Sequence, residues 1–175
     1  RDSTTLAEEL PPDQLMAFVN GYLTAMTEVV LAYGGTLDKF VGDEVMALFG
    51  APLTYEDHAL RAVQVGMAMQ TAYQAMQRMW TQRGIETAGL GVGIATGPLI
   101  VGEFGCEQRT DYTVMGPAAN LGARICGTSR AGEVLVCPTT YDHVRAHVKA
   151  QPRANRRFKG FDQEMTVYNI TEVTP

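Results

Sequence analysis

Apolar residues recur along the chain at two periods, near 3.6 and near 2, and these predict its elements. Pro11-Pro12-Asp13 reads as a helix start. Leu15, Phe18, Val19, Tyr22, Met26 and Val29 then repeat at helical spacing until Gly34-Gly35 stops the helix. Residues 36–40 and 45–49 predict two short strands, joined by the hairpin turn Val41-Gly42-Asp43-Glu44. Ala51-Pro52 breaks the pattern. A long helix over 55–83 carries Ala59, Ala62, Val63, Gly66, Met69, Tyr73, Met76 and Trp80 on one face, which makes its methionines core residues. Residues 88–95 and 99–104 predict a second strand pair, turned at Thr96-Gly97-Pro98. A short strand at 111–115 leads to Gly116-Pro117, which opens a helix through Ala118, Leu121, Ala123 and Ile125. Val134-Leu135-Val136 reads as a strand and Pro138 as the start of a short helix. Strands near 157–160 and 166–170 close the chain. Hairpins are frequent and strands and helices do not strictly alternate, so the pattern favours an α+β sandwich over a doubly wound sheet.

Composition narrows the function. The 175 residues form one domain, with 46% apolar residues, 19% charged residues and a net charge of −5. No basic stripe is present, which argues against a nucleic-acid partner or an electrostatic membrane surface. A nucleotide substrate would need individually placed Lys or Arg. Cys106, Cys126 and Cys137 are an odd number without metal spacing, and read as reduced, buried thiols of a cytoplasmic protein. No apolar run is expected to reach membrane-span length and no signal peptide is visible, although a membrane or sensor segment could lie outside this stretch.

Several residues stand out chemically. Asp43 follows Gly42 at a hairpin tip, where a carboxylate suits Mg²⁺ or Mn²⁺ and equally suits a plain turn. Lys39 lies on the strand leading into that turn, and by itself reads as a solvated lysine. Asn120 and Arg124, four apart on a helix, share a face; they could orient a sugar and stabilise phosphoryl charge, or form an ordinary polar face. Thr113 on the preceding strand is accounted for by β propensity alone. Lys159-Gly160 fits a phosphate-holding turn or a plain one. Ser3, Thr4 and Thr5 would cap a helix N-terminus, which is also an anion site.

The order of these features resembles the class III nucleotidyl cyclases. Gly34-Gly35-Thr36-Leu37-Asp38-Lys39-Phe40-Val41-Gly42-Asp43 is similar to the family's dimer-hairpin motif. Thr113-Val114-Met115-Gly116-Pro117-Ala118-Ala119-Asn120-Leu121-Gly122-Ala123-Arg124 is similar to its transition-state motif, and Phe158-Lys159-Gly160 to its C-terminal phosphate-binding lysine. Residues 1–10 look like the stretch just after the family's first metal aspartate, with Ser3 where a Phe is common.

The resemblance implies a ferredoxin-like (palm-type) antiparallel-rich sheet packed with helices. It implies an adenylate cyclase that converts ATP to cyclic AMP and pyrophosphate with two divalent metal ions, Mg²⁺ or Mn²⁺. Asp43 would bind metal, Lys39 and Thr113 would read adenine where guanylate cyclases carry Glu and Cys, and Asn120 would position ribose. Arg124 would stabilise the pentavalent phosphate. Lys159 would hold the terminal phosphates, with Arg109 and the segment Ser3, Thr4 and Thr5 as further substrate contacts. In the family, metal aspartates come from one protomer and the other groups from its partner, so a homodimer would have two shared sites. An upstream sensor or regulatory domain is expected, and Thr113 resembles the bicarbonate-responsive subclass. The resemblance also places a first strand and a first metal aspartate directly before Arg1, so the stretch as it stands is expected to bind metal poorly and to show little activity. The rival readings are a guanylate cyclase, against which Lys39 and Thr113 speak, and a silent dimerisation or nucleotide-sensing module. A diguanylate cyclase would share Gly42-Asp43-Glu44 but would leave Asn120 and Arg124 unexplained.

Overall fold

Helix α1 (Pro12–Ala32) starts with a proline in its first turn and an acid, Asp13, at its positive end. The computed structural model describes residues 6–8, 10–161 and 164–174. Along α1, Phe18, Tyr22, Met26 and Val30 are buried, because four-residue spacing stacks them on one face. They meet Val65, Met69, Tyr73, Met76 and Trp80 of helix α2 (His58–Thr81). Phe18 packs edge-on against Trp80 at 5.2 Å and Tyr22 against Tyr73 at 5.8 Å between ring centroids, the arrangement aromatic quadrupoles favour. By length and composition α1 could also cross a membrane, with 21 residues and a mean hydropathy of 1.4. That corrects the expectation that no apolar run reaches such a length. In this fold the apolar stripe serves the α1–α2 interface.

The central sheet has the strand order β3 (Val92–Ile94), β6 (Val134–Val136), β8 (Met165–Val173), β7 (Val148–Arg156). β3 and β6 are parallel and the other pairs antiparallel. Strand side chains alternate between faces, and β6 uses both. Val134 and Val136 pack with Ala59 and Val63 of α2 and with Val144 of helix α4 (Pro138–Val144). Leu135 packs the other way, with Leu121 and Ile125 of helix α3 (Pro117–Thr128). Helices therefore cover both faces of the strand, and its three residues are all buried.

Two further hairpins complete the architecture, β1 (Thr36–Val41) with β2 (Glu44–Leu48) and β4 (Ile100–Cys106) with β5 (Arg109–Met115). The mixed α+β architecture agrees with the sequence pattern, but one pairing does not. Residues 88–95 and 99–104 form no hairpin. β3 pairs with β6 instead, and β4 turns through Glu107-Gln108 into β5, with Ile100 opposite Met115 and Cys106 opposite Arg109. The Glu107-Gln108 turn lacks the Gly and Asn signals that mark a hairpin in sequence. The strand expected near 157–160 is also absent: β7 ends at Arg156 and Lys159-Gly160 is a turn. β7 lies at the sheet edge, where its Pro152 and polar residues are tolerated. Cys137 is buried and Cys126 half-buried, but Cys106 is exposed beside the β4–β5 turn. The expectation of buried thiols therefore fails at Cys106, which the local hairpin carries into solvent.

α3 approaches β3 closely at one glycine. A Cβ on Gly93 would meet the backbone nitrogen and Cα of Cys126 and the carbonyl oxygen of Gly122. These are backbone atoms that no side-chain rotation can move aside. Gly93→Ala is expected to cost about 1–3 kcal/mol, the usual range for overpacking. Thermal and urea unfolding followed by circular dichroism would read the loss, and an unchanged midpoint would mean that α3 is not held against β3 as described.

Candidate functional site

The β1–β2 hairpin closes through the two-residue loop Gly42-Asp43, with Val41 opposite Glu44. Gly42 has φ +63, a conformation that a two-residue hairpin demands and that glycine adopts without strain. Asp43 is thereby held half-buried at the tip. Beneath it, Val45, Ala47 and Phe49 pack on the α1–α2 core. Burial pushes the Tyr22 phenol well above its ordinary value, and the Asp43 charge adds to the rise. Tyr73 is raised for the same two reasons, burial first, while its hydroxyl donates to the Ala88 carbonyl. The carboxylate of Asp43 is therefore within electrostatic reach of the aromatic pair under the hairpin.

Further down β1 the ladder slips. Leu37 pairs with Ala47 and Lys39 with Met46, leaving Asp38 as the extra residue of a β-bulge. Consecutive residues on a regular strand face opposite ways; a bulge re-aims them. Here Asp38 Oδ2 lies 3.7 Å from Lys39 Nζ, its own neighbour in sequence. The Asp38 side chain is only 2% exposed, while that of Lys39 is 43% exposed. Thr113 Oγ1 donates to Asp38 Oδ2 at 3.0 Å, which ties β5 to β1. A buried carboxylate is costly unless it is hydrogen-bonded. The Thr113 bond meets that need directly, whereas the half-exposed lysine contributes ~0–1 kcal/mol at this distance.

β5 runs from this contact into α3. Thr113 and Val114 are buried, Gly116 caps the helix and Pro117 begins it. Ala118, Leu121 and Ile125 face inward. Asn120 is exposed and Arg124 half-buried, on the face the core leaves open. Beyond β7, Phe158 is buried against α3 and holds the exposed Lys159 in a turn beside that helix's packing cluster. Among the described residues neither Arg124 nor Lys159 has a carboxylate partner. Arg109 differs: it is exposed at the turn end of β5, 3.4 Å from Asp111. Ser3, Thr4 and Thr5 lie outside the described residues.

The structure thus brings Lys39 and Thr113 together, although they are far apart in sequence. It also keeps Asn120 and Arg124 on one open face. The residue that joins the first pair, Asp38, escapes a reading of the sequence. Its only sequence signal is an acid next to a lysine between Leu37 and Phe40, and the bulge at its position is not written in the pattern. For a divalent metal, no group of three or more His, Cys, Asp or Glu converges among the described residues. Asp43 is instead a single hard oxygen donor at a partly open tip. That suits Mg²⁺ or Mn²⁺, which commonly takes one or two carboxylates and completes its shell with phosphate oxygens and water.

Residues 1–172 match the family described as the adenylate and guanylate cyclase catalytic domain. The adenylyl cyclase CyaB from P. aeruginosa superposes with a TM-score of 0.95 at 36% identity, over 98% of this chain and 89% of that one. The guanylyl cyclase Cya2 superposes at 0.92 and 34% identity, over 99% and 88%. Adenylate cyclase 1 of Rhizobium meliloti (strain 1021) is 29% identical over 98% of this chain. The chain spans only 26% of that relative's length, and 35% of the length of a second curated relative.

Replacing Thr113 by Val removes the hydrogen bond and leaves the buried carboxylate short of a partner. The expected loss is about 1–3 kcal/mol, read from urea unfolding. A loss below about 0.5 kcal/mol, within the range of an ordinary surface substitution, would show that Asp38 is satisfied without Thr113.

Proposed function

Because the chain belongs to the adenylate and guanylate cyclase catalytic-domain family, we propose that it is the catalytic domain of an adenylate cyclase, converting ATP to 3′,5′-cyclic AMP and pyrophosphate at the interface of a homodimer. The family alone leaves the purine open, since an adenylyl and a guanylyl cyclase resemble the chain almost equally. The observation that carries the choice is the meeting of Lys39 and Thr113 across Asp38. Lysine can only donate hydrogen bonds. Adenine offers it a bare N1, whereas guanine presents an N1–H. A threonine hydroxyl in turn suits the 6-amino group.

The other residues fall into place around that choice. Asn120, exposed on α3, would hold the ribose, and Arg124, on the same helix face, would meet the charge that grows on the α-phosphate. Lys159 reaches the terminal phosphates. Asp43 would hold a divalent ion together with the phosphates. When bound, such ions neutralise the triphosphate and acidify the attacking hydroxyl. The 3′-hydroxyl gives up its proton to water and its oxygen attacks the α-phosphorus; the new O–P bond forms as the bond to the departing pyrophosphate breaks. Positioning and charge stabilisation account for most of the acceleration in such a reaction.

Exposed apolar side chains support the dimer. Phe40 and Val41 on β1, and Ile100, Tyr112 and Met115 on the β4–β5 hairpin, are 44% to 69% exposed. Ile100 and Met115 are directly paired. Adjoining exposed apolar side chains such as this pair commonly mark an interface. In such a dimer Asp43 would serve one site and Asn120 and Arg124 the other. The remaining length of the curated relatives leaves room for an upstream sensor domain.

Cyclic nucleotide production from ATP and from GTP with Mn²⁺, measured on the full-length protein, tests the reading. Cyclic AMP is expected to predominate, and Arg124→Ala to lower kcat about 100-fold or more with the fold intact. Preferred turnover of GTP would make it a guanylate cyclase, and turnover of neither nucleotide would favour a silent nucleotide-sensing module. The shared site has its own test. Asp43→Ala and Arg124→Ala are each expected to be inactive, yet mixing them in equal amounts should restore about a quarter of wild-type activity, because half the dimers then carry one intact site. No recovery after verified subunit exchange would mean that each site lies within one protomer.

A further inference from the structure

The bond between Thr113 and Asp38 fixes more than a position. A threonine hydroxyl has one hydrogen and two lone pairs. That hydrogen is directed at Asp38 Oδ2, 3.0 Å away, and a carboxylate has none to give back. Thr113 therefore offers only lone pairs to a ligand. Lys39, drawn toward the same oxygen, offers only hydrogens. The result is an acceptor beside a donor, in an order set by the carboxylate behind them.

We propose that Asp38 is a positioning residue for purine selection: by taking the Thr113 proton and drawing in Lys39, it makes the pair accept the 6-amino group and bare N1 of adenine and reject the 6-oxo group and N1–H of guanine. The inference rests on the adenylate cyclase reading and deepens it. Three features support it. The carboxylate is 2% exposed, so water does not compete for the proton of Thr113. It sits at the bulge between Leu37 and Lys39, the kind of irregularity that re-aims a side chain. Thr113 is itself buried, which leaves its hydroxyl little solvent for which to exchange this partner. A hydroxyl without such a partner would rotate and donate to a 6-oxo group, leaving Lys39 alone to discriminate between the bases. Buried polar groups discriminate because a mismatched ligand leaves them unpaired.

The test compares kcat/KM for ATP and GTP in the full-length wild type, Asp38→Asn, Thr113→Val and the double variant. Asparagine keeps the shape but can donate to Thr113, which frees the hydroxyl proton. The expected result is that D38N narrows the ATP-to-GTP ratio by about tenfold or more, whereas D38N added to T113V narrows it by clearly less, since only the contact with Lys39 is left to lose. A merely structural role would lower both activities and leave the ratio unchanged. A ratio that survives D38N, or that narrows equally in the T113V background, overturns the inference and leaves the adenylate cyclase reading standing. A wild type that prefers GTP overturns that reading first, and the inference with it. Should D38N fail to fold, wild type and T113V are compared on purine riboside triphosphate and its 6-methoxy derivative. An acceptor-only hydroxyl makes the wild type disfavour the methoxy oxygen, and valine removes that preference. A wild type that uses the two analogues alike, or a preference that persists in T113V, overturns the proposal.

Discussion

Strand β6 has no face left for water. Val134 and Val136 press against α2 and α4, Leu135 presses against α3, and the positions of the chemically interesting groups follow from that burial. With α2 fixed on one side, α1 is fixed through the Phe18–Trp80 and Tyr22–Tyr73 contacts, and the β1–β2 hairpin rests on the α1–α2 layer. With α3 fixed on the other side, the polar face that bears Asn120 and Arg124 has one direction in which to look. The close approach of α3 to β3 at Gly93 makes this docking rigid, since backbone meets backbone there.

The two hairpins are joined differently, by a buried carboxylate. An apolar residue at position 38 would satisfy packing equally well at less desolvation cost. The acid instead requires partners, and it finds one on each hairpin, Thr113 on β5 and Lys39 on β1. Hydrogen bonds are directional where apolar packing is not, so the carboxylate sets relative orientation as well as proximity. This is the kind of rigid support a recognition site needs behind the groups that touch a ligand.

Much of this could be read from the chain. The helical stripe of α1, the methionine-bearing face of α2, the Gly42-Asp43 turn, the all-apolar β6 and the Gly116-Pro117 helix start are local patterns with local causes. Two strand assignments failed for physical reasons. β3 is three residues long and parallel, so its partner lies some forty residues away and nothing nearby announces it. β7 is polar and contains Pro152, which only an edge position tolerates. The extent of α1 was legible, but its overall apolarity was not, because its polar residues interrupt the run without lowering its mean hydropathy far.

For the site the division is similar. The sequence alone singled out the candidates for the chemistry: a carboxylate at a hairpin tip, an Asn and an Arg one helical turn apart, a lysine after a phenylalanine. These follow from turn chemistry and from the period of a helix, which act over a few residues. Only the tertiary structure decided that Lys39 and Thr113 meet and that Asp38 stands between them. Those relations depend on a bulge and on the docking of two hairpins separated by some seventy residues, and burial of that kind is a property of the whole fold rather than of any segment of it.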